Sequence, residues 1–192
     1  MKKITQRLII DTARNLIQET QKPEVSLSKI ASSLEITHAA IYKHFKNKKE
    51  LWTAVCEDWF NESIIKNIGI DDNQYTDKQL WLHDYLWQFV NAKKKAYNSN
   101  PLMFELNTCY VEKDPYVLKE ILNPCFIRIQ KKMEYKTDHL YKVEAIFSVF
   151  STFTLPMFKE TWNQPDYKLR FETLWDLIKY NVFTWFANLT GC

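Results

Sequence analysis

A short segment near the N-terminus concentrates the side chains best suited to binding a polyanion. Between residues 37 and 44 the sequence reads Thr-His-Ala-Ala-Ile-Tyr-Lys-His, which combines hydrogen-bond donors, an aromatic ring and cations with two small residues. Donors and cations bind phosphates, and small residues let a helix approach base edges or thymine methyl groups. The segment therefore indicates that this part of the protein could bind duplex DNA and contact its bases.

The distribution of charge along the chain supports the same interpretation. Residues 1–52 contain ten Lys or Arg and five Asp or Glu, a net charge of +5, whereas residues 53–192 contain sixteen and eighteen, a net charge of −2. A basic first quarter joined to a mildly acidic remainder is typical of a small polyanion-binding module attached to a second part.

Composition and spacing exclude several classes of enzyme. The chain has only two glycines, Gly69 and Gly191, so it cannot build a P-loop, a dinucleotide-binding loop or a nucleophile elbow. His38 and His44 are six residues apart, which is the wrong spacing for one metal ion on a helix face, and no CxxC occurs. We therefore expect no catalysis, no metal and no cofactor.

The cysteines and the apolar segments predict a cytoplasmic protein. The four cysteines lack paired spacing, and a chain of 192 residues does not need disulfides to fold, so reduced thiols are expected. No signal peptide is visible at the N-terminus. The most apolar stretch, residues 145–158, contains Ser, Thr and Pro and is shorter than a membrane span.

Helical periodicity extends over nearly the whole chain, and Pro, Gly, Asn or Asp interrupt it at intervals. The sequence therefore predicts an all-α protein with about nine helices. The first four helices are expected at 5–20, 27–34, 38–45 and 48–67.

The second and third of these helices are short and follow a longer one, which is the helix-turn-helix arrangement. Seven apolar positions of the pair can pack against the first helix: Leu27, Ile30, Ala31, Leu34, Ile36, Ile41 and Phe45. Their burial turns the other side chains of the third helix outward. The outward set is Thr37, His38, Ala39, Tyr42, Lys43 and His44.

Over residues 5–55 the sequence resembles the TetR family (TetR/AcrR-type) of bacterial transcription regulators. The resemblance rests on Ser-Leu-Ser-Lys-Ile-Ala at 26–31, on Ile-Thr-His-Ala-Ala-Ile-Tyr-Lys-His-Phe at 36–45 and on Lys-Lys-Glu-Leu at 48–51. The Tyr-Lys-His-Phe string followed by Lys48 is highly specific. The other three quarters of the chain match only in length, helical content and layout.

The resemblance implies a three-helix DNA-binding domain at 1–47, and a linking helix with a helical regulatory and dimerisation domain at 48–192. It also implies a homodimer that binds a near-palindromic operator in double-stranded DNA. Such regulators usually repress transcription until a small effector, here expected to be apolar or aromatic, releases them. A helical adaptor that binds proteins and keeps a vestigial DNA-binding head is the alternative.

One position departs from the family pattern. Where the turn of such proteins usually carries Gly, this chain has Glu35. A left-handed backbone at a non-glycine residue costs roughly 1–2 kcal/mol. A carboxylate close to DNA is also unfavourable unless it points away from the phosphates. The motif as a whole is retained.

The expected DNA contacts divide into base reading and phosphate binding. The candidates for base reading are His38, Ala39 and Lys43. The candidates for phosphate binding are Ser26, Ser28, Lys29, Thr37, Tyr42, His44 and Lys48. Tyr42 and His44 match family positions that commonly bind phosphate oxygens. For Lys29 there is a physical argument, because a cation in the first turn of a helix opposes the helix dipole and a phosphate would relieve that conflict.

The residues alone leave roles without DNA open. Ser26 can cap the second helix whether or not DNA is bound, and Thr37 can cap the third. Lys29 can be a solvated surface lysine. Lys46, Lys48 and Lys49 can together be a solvated basic run.

The C-terminal three quarters of the chain are rich in aromatic residues that could line an adaptable apolar pocket. The candidates for an effector pocket are Trp81, Tyr85, Phe89, Met103, Phe104, Phe126, Phe147 and Phe150. Helical spacing also allows each of them to be an ordinary core residue. Pro124 is expected to kink or split the helix that contains it, and Pro156 to bend or end its own helix.

The last two long helical patterns carry more apolar surface than one side of a helix needs. An intermolecular four-helix bundle would cover that surface, and so would other helices of the same chain. The candidates for a dimer interface are Val149, Phe153, Leu174, Leu177, Ile178, Phe183 and Trp185.

Overall fold

The computed structural model describes residues 3–135 and 140–184, with only the backbone of residues 183 and 184. Within these residues the protein is all-α, with eleven α-helices, three 3₁₀ helices, one π-helix and no strand. The α-helices are α1 (Gln6–Thr20), α2 (Leu27–Ser33), α3 (His38–Ile41), α4 (Lys48–Ser63), α5 (Lys78–Ser99), α6 (Pro101–Asn107), α7 (Pro115–Met133), α8 (Tyr141–Val149), α9 (Ser151–Thr154), α10 (Tyr167–Ile178) and α11 (Asn181–Thr184). The π-helix is Thr108–Glu112, and the 3₁₀ helices are Ile65–Asn67, Asp72–Gln74 and Pro156–Thr161.

The chain forms two compact units. The head unit comprises Met1–Ser63 and Ala96–Ile121, and the body unit comprises Ile64–Lys95 and Leu122–Cys192. The head unit therefore contains more than the expected three-helix domain, because α4, α6 and the π-helix pack within it. The expected boundary at residue 47 concerns DNA binding and stays a prediction.

Helix α1 begins where its sequence predicts and is held by α4. The Thr5 hydroxyl caps it by accepting a hydrogen bond from the Leu8 amide at 3.2 Å. Its apolar stripe is buried, with Ile9, Ala13, Leu16 and Ile17 facing the core. On its polar side, Arg7 and Arg14 both form ion pairs with Asp58 of α4. One carboxylate thus joins two turns of α1 to the helix that follows the helix-turn-helix.

The turn between α2 and α3 passes through a left-handed residue at Glu35, where φ is 55°. Glu35 is the residue for which the sequence predicts a cost in free energy, because a left-handed backbone is unfavourable for a residue other than glycine. The backbone accepts the cost because the turn is closed by hydrogen bonds: the Glu35 amide donates to the Ser32 carbonyl at 3.1 Å, and the Ile36 amide donates to the Ala31 carbonyl at 3.0 Å.

Helix α3 is shorter than predicted. It is α-helical over four residues instead of the expected eight, and residues 42–44 continue it as tight turns. The His44 amide donates to the Ile41 carbonyl at 2.9 Å, and the Phe45 amide donates to the same oxygen at 3.1 Å. The segment still coils in the helical sense up to Phe45, so its side chains keep two opposite faces.

Helix α4 starts at Lys48 as predicted and ends earlier than expected. Asn47 caps it, because its side-chain oxygen accepts from the Glu50 amide at 2.8 Å, and the Glu50 carboxylate accepts in return from the Lys46 amide. The last residues of the predicted helix form the separate 3₁₀ helix Ile65–Asn67.

An ion-pair cluster fastens the loop before α5 to α7 within the body unit. The Asp72 carboxylate accepts from Arg128 Nη2 at 2.8 Å and from Trp81 Nε1 at 2.9 Å. Arg128 also donates to the Ile70 carbonyl at 2.6 Å. The hydrogen bond from Arg128, more than any other contact, holds the pKa of Asp72 below its ordinary value.

The two prolines expected to break helices behave differently. Pro156 begins a 3₁₀ helix directly after α9, which confirms its predicted role. Pro124 was expected to kink or split its helix. The split does not occur, because α7 continues through Pro124 from Pro115 to Met133, and the kink stays a prediction. A proline removes one backbone hydrogen bond and crowds the carbonyl four residues earlier, and a helix of 19 residues can lose that bond and remain continuous.

In the part of the chain that the structure describes, no helix has the length and hydropathy that a membrane span requires.

Replacement of Glu35 by Gly should stabilise the protein. Glycine adopts a left-handed backbone without the Cβ clash, so we expect the free energy of unfolding to rise by about 1 kcal/mol, reduced somewhat by the greater entropy of the unfolded chain. Urea unfolding followed by circular dichroism would measure the change.

Glu19→Gly provides the matched control. Glu19 is exposed in right-handed helix α1, where glycine should cost about 1 kcal/mol. Destabilisation by both substitutions would show that the backbone at residue 35 is not strained in solution.

Candidate nucleic-acid interface

The segment from Thr37 to His44 has one buried face and one exposed face. Ile41 and Phe45 point into the head unit, with exposed fractions of only 1% and 3%. His38, Ala39 and Lys43, the three residues expected to read bases, are all exposed. All three of the predicted base-reading side chains are thus open to solvent. Their contact with bases stays a prediction.

Tyr42 lies beside His38 on this surface. Tyr42 is 44% exposed, and the two ring centroids are 5.2 Å apart in an edge-to-face arrangement. The contact follows from their i, i+4 spacing and limits the freedom of both rings. The pair presents a phenol hydroxyl and an imidazole that can each bond to a phosphate or a base edge.

Two hydroxyl residues cap the short helices, as the sequence allows. Ser26 Oγ accepts from the Lys29 amide at 3.2 Å at the start of α2, and Thr37 Oγ1 accepts from the Ala40 amide at 3.3 Å at the start of α3. Each hydroxyl keeps its hydrogen for a second partner. Capping is therefore compatible with the predicted phosphate contacts, and both side chains are exposed.

Ser28 and Lys29 lie exposed in the first turn of α2. No acidic residue occurs in that turn, so the positive end of the helix dipole and the Lys29 ammonium lie close together. A phosphate would relieve this repulsion.

His44 is half-buried at the end of the recognition segment. Its carbonyl oxygen accepts a hydrogen bond from Gln6 Nε2 at 2.7 Å. Gln6 thus ties the start of α1 to the end of the segment that carries Tyr42 and Lys43. Local sequence patterns carry no signal for this contact, because residues 38 positions apart meet only in the folded chain.

Lys48, the predicted phosphate ligand at the start of α4, already has an anionic partner. Its ammonium forms an ion pair with Glu24, and the side chains are 52% and 32% exposed. The Glu24 carboxylate also accepts a hydrogen bond from the Tyr110 hydroxyl at 2.8 Å. Neither Glu24 nor Tyr110 was expected at this site from the sequence, because the two residues lie 86 positions apart in the chain.

Lys49 is paired in a similar way. Its ammonium lies 3.1 Å from the carboxylate of Asp114, which also caps α7 by accepting from the Tyr116 amide at 3.2 Å. The hydrogen bond from Lys49 and, next, that from the Val117 amide hold the pKa of Asp114 below its ordinary value. The basic run at the start of α4 is therefore partly neutralised by acids of the head unit.

The residues expected to form an effector pocket are all buried. Met103 and Phe104 belong to the head unit and the other six to the body unit. Within the body unit they pack on one another: the Trp81 and Tyr85 rings stack at 5.0 Å, and the Phe147 ring contacts Phe89 at 5.1 Å and Phe126 at 5.0 Å. These contacts are those of a core, and an effector role stays a prediction.

The residues expected at a dimer interface divide into three groups. Leu177 is 69% exposed, and Val149, Leu174 and Ile178 are half-buried. The expected place of Phe153 at the interface is wrong, because its side chain is fully buried against Tyr167 and Phe171 of its own unit and has no surface to offer a partner. The side chains of Phe183 and Trp185 lie outside the described residues.

Val149 and Ile178 also border a small apolar cavity of about 190 Å³ in the body unit. Ala145, Ile146 and Val182 complete its apolar wall.

Among the residues that the structure describes, no group of His, Cys, Asp or Glu is arranged to hold a metal ion.

Comparison with known proteins identifies the helix-turn-helix region. A family model described as bacterial regulatory proteins, tetR family, matches residues 9–55. The biofilm operon icaADBC HTH-type negative transcriptional regulator IcaR of Staphylococcus epidermidis is 32% identical over 85 residues, which are 43% of this chain and 43% of the relative. The match thus spans less than half of that regulator.

A crystal structure from Streptomyces coelicolor A3(2), of a candidate transcriptional regulator, aligns with 95% of this chain and 98% of its own. Its sequence is 18% identical, and the TM-score is 0.38.

Proposed function

We propose that the protein is a sequence-specific DNA-binding transcriptional regulator acting in the cytoplasm, because its residues 9–55 match the family model of bacterial regulatory proteins, tetR family. We further propose that it is a repressor, since the relative IcaR is a negative regulator. A small-molecule effector would release it from its operator.

The observation that carries this proposal is the two-faced segment at α3. Ile41 and Phe45 are buried, so His38, Ala39 and Lys43 are held outward on a rigid base. A helix of this kind enters the major groove with its first residues against base edges. Lys43 supplies a cation for guanine, and Ala39 a methyl group for thymine.

Phosphate contacts would supply most of the affinity. Hydroxyls at Ser26 and Thr37, the Tyr42 phenol, and the first turns of α2 and α4 lie around the recognition segment in the chain. Each neutralised phosphate releases counterions, so binding should weaken steeply with salt. Sequence choice would come from the smaller base-reading set.

The effector part of the proposal draws on the aromatic body. Its buried rings are adaptable apolar surface of the kind that takes flat or apolar ligands. To regulate DNA binding, an effector must bind the DNA-free conformation more tightly than the DNA-bound one.

Capture of genomic DNA fragments by the purified protein tests the function directly. We expect enrichment of a few fragments, and footprinting on them should reveal a protected near-palindrome with half-site centres about 10 bp or a small multiple of a turn apart. Protection that is independent of sequence would refute a specific regulator. If the protein binds no DNA at low ionic strength, the alternative function, a helical adaptor that binds proteins, would be favoured.

Two lysine substitutions should separate base reading from phosphate binding. Lys43→Ala should change the preferred base at one position of each half-site, worth about 1–3 kcal/mol of discrimination. Lys48→Ala should weaken all sequences about equally and reduce the slope of log K against log salt by about 1. Quantitative gel shifts on a site and its single-base variants would measure both, and the opposite pattern would reverse the assigned roles.

The proposed homodimer rests on the apolar surface of α8 and α10. Leu177→Asp puts a charge on that surface and should halve the mass seen by analytical ultracentrifugation, because a buried unpaired carboxylate is costly. Ile127→Asp, at a half-exposed residue of α7, is the control and should leave the mass of the dimer unchanged. A monomeric wild-type protein at micromolar concentration would contradict the proposal.

A further inference from the structure

Three segments of the head unit meet at one carboxylate. Glu24 lies in the loop between α1 and α2, Lys48 is the first residue of α4, and Tyr110 lies in the π-helix Thr108–Glu112. The Glu24 carboxylate pairs with the Lys48 ammonium through Oε1 and accepts the Tyr110 hydroxyl at 2.8 Å through Oε2. Each oxygen thus has its own partner.

This arrangement places an internal anion where a DNA phosphate is expected. One ammonium cannot give its full charge to a carboxylate and a phosphate together. Both side chains of the pair are partly exposed, and exposed ion pairs are weak. Phosphate can therefore replace the carboxylate, but binding must include the cost of breaking the pair or of bringing a second anion close to it.

We propose that Glu24 sets the DNA affinity of the head by competing with backbone phosphate for Lys48, and that Tyr110 positions Glu24 for this competition. The proposal rests on the proposed DNA-binding function and adds residues that the DNA-contacting motif does not contain.

Tyr110 is well placed to hold the carboxylate. Burial, followed by the hydrogen bond to Glu24, raises the pKa of the Tyr110 phenol, so it keeps its proton and remains a donor. Its ring also lies against the buried Trp52 of α4, with centroids 6.4 Å apart. The hydroxyl is therefore fixed relative to the helix that carries Lys48.

A double-mutant cycle tests the competition. Binding to a fluorescein-labelled 30-bp duplex of arbitrary sequence would be measured by anisotropy at about 50 mM KCl, because phosphate contacts do not depend on sequence. Glu24→Gln keeps the size of the side chain and should raise the affinity about twofold to fivefold. In the Lys48→Gln background the same substitution should have only the small effect of removing one negative charge.

Glu19→Gln is the control for the loss of one negative charge, since Glu19 is exposed at the end of α1. Its small effect should be the same with Lys or Gln at position 48. An equal gain from Glu24→Gln in both backgrounds would overturn the competition and leave only a general charge effect.

Tyr110→Phe tests the positioning role. In that background the gain from Glu24→Gln should shrink towards one, because the carboxylate is no longer held on Lys48. A full gain with Phe at position 110 would overturn the part assigned to Tyr110.

If the wild-type protein does not bind the duplex at all, the proposed function itself fails. Binding without a Lys48-dependent gain defeats only this inference.

Discussion

The recognition surface depends on the burial of two side chains, Ile41 and Phe45. Helix α3 has four residues, far fewer than an isolated helix needs to be stable in water. Its shape is therefore imposed by packing against α2, which in turn packs on α1. The same burial decides which side chains face outward. The burial of Ile41 and Phe45 determines both the stability of this segment and the side chains that it turns outward. A substitution at either position therefore changes both.

The parts of the fold that follow local rules could be predicted from the sequence. Ser26 and Thr37 cap the helices that they precede, because a hydroxyl at that position accepts a hydrogen bond from a first-turn N–H group that has no partner within the helix. The left-handed turn at Glu35 and the start of α4 at Lys48 follow in the same way from short motifs.

The parts that depend on distant residues could not be predicted. Glu24 meets Tyr110 across 86 positions, and Gln6 meets His44 across 38. Helical periodicity shows that Phe153 has an apolar neighbourhood but does not tell a neighbour in the same chain from a second subunit, so its expected place at an interface was wrong. DNA contacts and the effector pocket stay predictions, since both need a ligand to define them.

Glu35 has a consequence for the history of the protein. Either codon for glutamate becomes a glycine codon through one A-to-G change at the second base. A single point mutation would therefore remove the backbone strain of the left-handed Glu35. Selection acts against variants that fall below the stability needed for function and is nearly blind above that threshold. A left-handed Glu35 is therefore compatible with function as long as the head stays above that threshold.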